Sequence, residues 1–377
     1  MSRINRVVTA AVAGGLLLSM ATAAAAQDGA ALTRANMLFT GYGSATYQAA
    51  LNNEFENNFT ASISPIFLYN MGGDVLFEAE LEFGLSGEAT TTTLEYAQID
   101  YLGFERVIIT AGKFMIPFGI FGDRLHPSWI NKLPTPPLLF GHGHGGVAEG
   151  SLLPLLSDAG VLVRFAQPLR SGWALNLSLY ATQGPTLVDE TADGDDGHGD
   201  DHGAGDDGPA SIGAPVVGFG IAFDDNNKNK MIGGRLGLVK GPNFEVNFSA
   251  FNAMYDEGNY LSYNAHAVSL QWGMRSVEFK GEYVHLMQEF QRDQTFPTLI
   301  TSGYYAQISR RVGRWEPVAR WSQLFDGTIE SEAVLPGKEI LAVGLNYWID
   351  ATIPVKLAYE VRPDADDSLL LQWAFGF

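Results

Sequence analysis

The chain has 377 residues, room for two or three ordinary domains or for one large all-β barrel. It contains no cysteine, which excludes disulfides, thiolate metal sites, iron–sulfur clusters and a cysteine nucleophile together. Lys plus Arg number 23 against 42 Asp plus Glu, a formal charge of -19, so nucleic acid is excluded as a partner, and 17% charged residues beside 43 Gly and 12% aromatics point to strands rather than surface helices.

The first predicted element is a signal peptide over residues 1–26. Arg3 and Arg6 form a positive start, Val7 to Met20 is apolar, and Ala24-Ala25-Ala26 offers a small-residue cleavage site. An uncleaved anchor is the alternative, but Gly14, Gly15 and Ser19 break a short apolar core. The expectation is export and a mature chain from Gln27. Beyond Ala26 no apolar run is long enough for a spanning helix, so membrane entry would require a closed barrel.

Residues 27–377 carry the alternation that such a barrel needs. From Val75 to Phe83 the odd positions are apolar while Glu78, Glu80 and Glu82 share the other face. The pattern returns at Ala159 to Phe165, Trp173 to Leu179, Phe244 to Phe248, Leu341 to Tyr347, Val355 to Val361 and Leu369 to Phe377. A soluble sandwich can alternate too, and the connections decide between them. Seven tight turns are predicted, at 71–74, 104–106, 169–172, 240–243, 273–276, 311–314 and 350–352, and longer segments alternate with them. Seven turns between eight hairpins give a sixteen-stranded antiparallel transmembrane β-barrel with both ends on the short-turn side. Gly213 to Phe223 also resembles a strand, but a seventeenth would separate the ends, so it is assigned to a long acidic connection over 183–229. Trp173, Trp272, Trp315, Trp348, Tyr101 and Phe377 all fall near the short turns, where an interfacial belt is expected.

The segment 118–155 is too long for a structureless loop in a compact domain. Its entry, Gly112-Lys113-Phe114-Met115-Ile116-Pro117-Phe118-Gly119, resembles a motif of the phosphate-selective porin O/P family, and Gly233-Gly234-Arg235-Leu236-Gly237-Leu238 is similar to it as well. The resemblance implies an outer-membrane porin whose third extracellular loop, 118–155, folds inward as a constriction. It also implies a homotrimer passing small hydrophilic solutes without cofactor or turnover. The final strand, ending on Phe377, resembles the terminal signal read by the β-barrel assembly machinery. A non-conducting barrel acting as an adhesin, metal binder or lipid binder is the alternative. A barrel-wall hydrolase has less support, since neither G-x-S-x-G nor H-E-x-x-H occurs.

Alternation places Lys113, Arg164, Arg235, Lys280, Arg320, Lys356 and Arg362 inside, with Glu78, Glu80, Glu82, Asp100, Glu245, Glu278, Glu282, Glu316 and Glu360. A hydrated lumen tolerates such charges, whereas Arg or Lys at the lipid midplane costs about 2–4 kcal/mol. The competing reading is a set of ion pairs that braces and plugs the barrel. Arg124, His126, Lys132, Asp123 and Glu149 are candidates for the constriction. Residues 193–207 form a Gly- and Asp-rich stretch in which His198, His202, Asp196 and Asp200 are candidate ligands for a weakly bound divalent cation; a solvated acidic loop is the plainer reading. His142 and His144 are a further candidate pair.

Overall fold

The computed structural model describes residues 36–51, 57–86, 89–141, 151–187, 212–220, 227–363 and 365–377. The predicted 1–26 signal peptide, His142, His144, Glu149 and the whole 193–207 stretch, with Asp196, His198, Asp200 and His202, lie outside these residues.

Sixteen strands among the described residues form one antiparallel barrel. They are β1 (Met37–Ala50), β2 (Asn57–Gly72), β3 (Val75–Ser86), β4 (Ala89–Tyr101), β5 (Val107–Met115), β6 (Ser157–Pro168), β7 (Trp173–Thr182) and β8 (Met231–Lys240). The second half comprises β9 (Phe244–Met254), β10 (Ser262–Met274), β11 (Val277–Glu289), β12 (Thr298–Arg310), β13 (Trp315–Leu324), β14 (Lys338–Asp350), β15 (Ile353–Val361) and β16 (Ser368–Gly376). Each strand pairs with its sequence neighbours. Closure comes from β1, which pairs with β2 on one edge and with β16 on the other, in register from Tyr42↔Gly376 to Ala50↔Ser368. Closure leaves no exposed strand edge.

All seven predicted turns join consecutive strands on one rim, and the chain between the predicted turns connects them on the other. The described part of Gly213 to Phe223, residues 213–220, contributes no barrel strand: Val217–Gly218 pairs with Thr186–Leu187 in a separate two-stranded piece. A second short hairpin, Gly327–Ile329 with Glu332–Leu335, extends the β13–β14 connection.

The period of two sorts side chains between the faces. On β16, Leu369, Leu371 and Trp373 are exposed, while Leu370, Gln372 and Ala374 are buried inside. Trp173, Trp272 and Trp315 follow the predicted belt. Trp348 does not: it is buried on the inner face, where its indole N–H donates to Glu316 at 2.8 Å. The outward ring at that end of β14 is its half-buried neighbour Tyr347, which packs on Trp315 at 4.8 Å between centroids.

Within β5, Gly112 has φ +122°, and a Cβ there would stand 2.4 Å from the Ala97 carbonyl oxygen. An L side chain is strained and blocked at this point. Gly112→Ala is expected to lower stability by about 1–3 kcal/mol, read as a lower urea midpoint for protein refolded into detergent micelles. An unchanged midpoint would show that the backbone relaxes freely there.

Candidate functional site

The inner faces of β1–β4 carry short polar side chains. The register sets Ser44 against Ser62, Thr46 against Thr60 and Gln48 against Asn58, all half-buried. It continues this face through Glu78 opposite Gln98, Glu80 opposite Tyr96 and Glu82 opposite Thr93. The register slips between Glu80 and Leu81, so Glu95 is an extra residue in β4 and is buried. A bulge of this kind re-aims a side chain, and here it adds another carboxylate to the inner face.

Glu80 accepts a hydrogen bond from Tyr42 at 2.6 Å, and the same phenol lies 3.2 Å from His126 Nε2. Among the described residues, no Lys or Arg forms an ion pair with Glu78, Glu80 or Glu82.

The inward cations are committed elsewhere. Arg164 bonds Asp100 at 3.0 Å and Thr110 at 2.8 Å, and Lys280 pairs with Glu278 at 3.2 Å. Arg124 grips Glu245 with two bonds of 2.9 and 2.8 Å, while Arg235 holds Asp123 at 2.8 Å and the Gly119 carbonyl at 2.7 Å. Burial opposes the charge on Arg124, but Asp123 and Glu245 outweigh it and raise its pKa above the ordinary guanidinium value. Glu282 accepts from the Ile120 amide at 2.7 Å and from Tyr305 at 2.8 Å.

Lys113 departs from the simple alternation. It lies opposite Ala97, on the face that β4 shares with exposed Ile99, and its ammonium caps the Leu94 carbonyl at 2.8 Å and that of Gly220 at 3.2 Å. Gly112, with its positive φ, sits where the phase changes.

Residues 118–141 bond to inward-facing groups on many strands. Besides the contacts at β8, β9 and β11, Arg320 on β13 donates to the carbonyls of Thr135 and Pro136, both at 2.9 Å. Lys356 on β15 donates to the carbonyls of Ser128 and, at 2.6 Å, Asn131, as well as to Gln372. Lys132 pairs with Glu316 at 2.9 Å, and Asn346 donates to the Lys132 carbonyl at 2.9 Å. On β16, Gly376 lets Trp129 approach so closely that a Cβ would stand 2.9 Å from the indole nitrogen.

Apolar packing joins the same segment to one side of the barrel. Phe114, Phe118, Phe121, Leu139 and Phe140 cluster with Phe219, Phe251, Tyr263, Val284 and Leu286. On the described residues, the inner faces of β7–β12 therefore meet an apolar body; on β1 and β2 the same segment's Trp129 packs with Tyr42, Ile66 and Leu68, while Ser44, Thr46, Thr60 and Ser62 keep half-buried hydroxyls beside half-buried Glu78 and Glu82 and buried Glu80. No group of three or more His, Asp or Glu among the described residues is arranged to hold a metal ion.

Solved structures share this architecture. The OmpF structure of Salmonella typhi in complex with daunomycin is 13% identical, with a TM-score of 0.58 over 90% of this chain and 97% of that one. The anion-selective porin from Comamonas acidovorans is also 13% identical, with a TM-score of 0.55 over 90% and 99%. The fold is the porin fold. An OmpT loop-deletion mutant, an outer-membrane protein of Vibrio cholerae, matches at 8% identity and a TM-score of 0.53 over 90% and 99%. No protein-family model matches the sequence, and no curated protein matches it.

Within this porin fold, sequence reasoning missed Tyr42, Glu95, Tyr305, Asn346 and Gln372, and also Ser249, whose hydroxyl accepts from the Gly119 amide at 3.1 Å. Glu95 is out of phase with Gln98 and Asp100 of its own strand, and that phase slip was the available signal. The others are ordinary strand residues whose partners come from distant strands, so nothing local marks them.

Proposed function

We propose that the protein is an outer-membrane porin whose water-filled path runs along the inner faces of β1–β4, and that it passes small hydrophilic solutes with a preference for cations. The observation that carries this reading is the half-buried hydroxyl row of β1 and β2 beside Glu78, Glu80 and Glu82, which among the described residues have no ion-pair partner, while the inward cations are bonded to carboxylates or carbonyls. A low-dielectric wall focuses such a field on passing ions. The segment around 118–141 is the constriction, held by Arg124, Arg235, Arg320 and Lys356. Lys113, Arg164, Lys280, Asp100 and Glu282 shape the lumen by bracing it rather than by offering free charge.

The porin fold and the Gly112–Gly119 motif support a relationship to phosphate-selective porins, but the charge arrangement favours a different solute. Conductance and reversal potential of the purified protein in planar bilayers test the reading. Steady current with cation preference is expected; strong anion preference would restore a phosphate path. Absence of current would favour the non-conducting barrel, a reading to which the apolar cluster around Phe121 and Phe251 lends support.

The proposal includes outer-membrane lipid as solvent, delivery by the β-barrel assembly machinery after signal-peptide cleavage, and a homotrimer. It also sets the topology. Tyr260, 77% exposed in the β9–β10 connection, lies on the rim opposite Gly241. A cysteine at Tyr260 is expected to react with a membrane-impermeant maleimide on intact cells, and one at Gly241 is not. Equal labelling of both in sealed cells would overturn the orientation.

For residues 193–207 we propose weak divalent-cation binding by His198 and His202 with Asp196 and Asp200. Histidine ligates as neutral imidazole, so zinc affinity is expected to fall as pH drops through about 6.5. Equal zinc binding by a variant lacking 193–207 would leave the stretch an acidic tether.

A further inference from the structure

The connection between β7 and β8 comes back to the barrel before β8 begins. Its described return, residues 212–220, is tied to two widely separated strands. At one end Lys113 on β5 donates to the Gly220 carbonyl at 3.2 Å. At the other, buried Gln288 on β11 donates to the Pro215 carbonyl at 2.7 Å, and Ala214 packs with Phe290, Leu299 and Leu335. Lys113 stands two residues from the end of β5 and Gln288 one from the end of β11, so both ties lie at the rim of the long connections.

Chain length decides the course between the ties. Six strand spacings separate β5 from β11, about 29 Å along the wall. The five steps from Pro215 to Gly220 span at most about 18 Å. The segment therefore cuts across the lumen as a chord, and the Lys113 and Gln288 side chains reach inward to meet it.

Its underside is apolar. Phe219 is fully buried, with its ring 6.0 Å from that of Phe251 and 5.9 Å from that of Tyr263. Val217 and Phe219 join the cluster that holds Phe118, Phe121 and Phe140, so the chord is seated on the 118–141 segment. The outgoing arm of the same connection is fixed as well: Asp158 accepts from the Gly184 amide at 2.6 Å, and Thr186–Leu187 pairs with Val217–Gly218. A hydrated solute gains nothing to replace its water against such a surface.

We propose that residues 212–220 are a strap that closes the β5–β11 side of the mouth and limits the size of solute admitted, which leaves the path along β1–β4 as the open side; the inference rests on the porin reading above. Phe219 fills the gap beneath the strap. Lys113 and Gln288 are positioning residues that hold it across the lumen.

Phe219→Ser combined with Lys113→Met removes the filler and one tie. In planar bilayers with neutral polyethylene glycols of graded size, this variant is expected to show at least twofold higher single-channel conductance and to admit polymers that the parent excludes. Parental conductance and the parental exclusion limit in the variant would overturn the proposal. Lys113→Arg keeps a donor at the Gly220 carbonyl and is expected to retain the parental limit, whereas Lys113→Met alone raises it. An equal rise in both would overturn the positioning role.

The absence of native cysteine adds a readout that needs no current. Ala214 is buried under the strap and Leu187 is exposed. In folded protein, checked by heat-modifiable migration, Ala214→Cys is expected to react with a water-soluble methanethiosulfonate at least tenfold more slowly than Leu187→Cys, and equal rates would show the strap lifted and overturn the proposal. A parent that carries no current would refute the porin reading and this proposal with it, whereas an unchanged variant beside a conducting parent refutes the strap alone.

Discussion

Replacing Glu78, Glu80 and Glu82 together by Gln is expected to abolish cation preference while leaving an open channel. Gln keeps the side-chain length and can still accept from Tyr42, so the wall geometry is retained while up to three charges are lost. A local potential of ~2 kT enriches cations and depletes anions about sevenfold each, so removing it moves the reversal potential in a KCl gradient most of the way to zero. The wild-type preference is expected to fade between 0.1 and 1 M salt, as the screening length shrinks from about 10 to about 3 Å. Glu245→Gln is the matched contrast. It discharges the partner of Arg124 and is expected to shift selectivity toward anions. If the triple variant keeps the parent's reversal potential, the selecting field lies elsewhere and the β1–β4 path is wrong.

Arg320→Met combined with Lys356→Met is expected to release the 128–136 part of the segment proposed as the constriction, giving larger and noisier single-channel currents. Both side chains are almost fully buried, and between them they bond four backbone carbonyls, those of Ser128, Asn131, Thr135 and Pro136. Methionine fills similar volume without donors, so those carbonyls and Glu360, which accepts from Thr135, lose their organised surroundings. Removing one side of a buried charged network costs about 3–5 kcal/mol, enough to unseat a loop while the hydrogen-bonded barrel stays closed. Steady currents of parental size, with heat-modifiable migration retained, would show that the segment does not gate the path. The single variants separate the two clamps, since Lys356 acts at 128–131 and Arg320 at 135–136.

The elements legible in the sequence were those set by local chemistry. Alternation at Val75–Phe83 needs only the pleat, and the turns at Gly72-Gly73 and Gly241 need only a residue tolerant of positive φ. Strand number followed from counting those turns. The site was legible as a face but not as a set of partners. Arg124, Arg235 and Lys132 could be picked out as charges, yet their companions lie about 112 to 184 residues away, where pattern has no reach.

By itself the sequence determined a closed antiparallel barrel, its two rims, the long third connection and the sorting of charge to one face, because each follows from a period of two and from turn residues acting on their neighbours. Tertiary structure alone decided which charges are spent and which are free. Barrel closure brings β8, β9, β13 and β15 around the 118–141 segment, so Arg235, Glu245, Arg320 and Lys356 are drawn into bonds with it, while among the described residues no Lys or Arg pairs with Glu78 or Glu82. It also decided the exceptions to alternation: the bulge at Glu95, Lys113 beyond Gly112, and Trp348 turned inward to Glu316. Each depends on what stands across the barrel, and the free energy of a buried charge is set by that neighbour rather than by the residue itself.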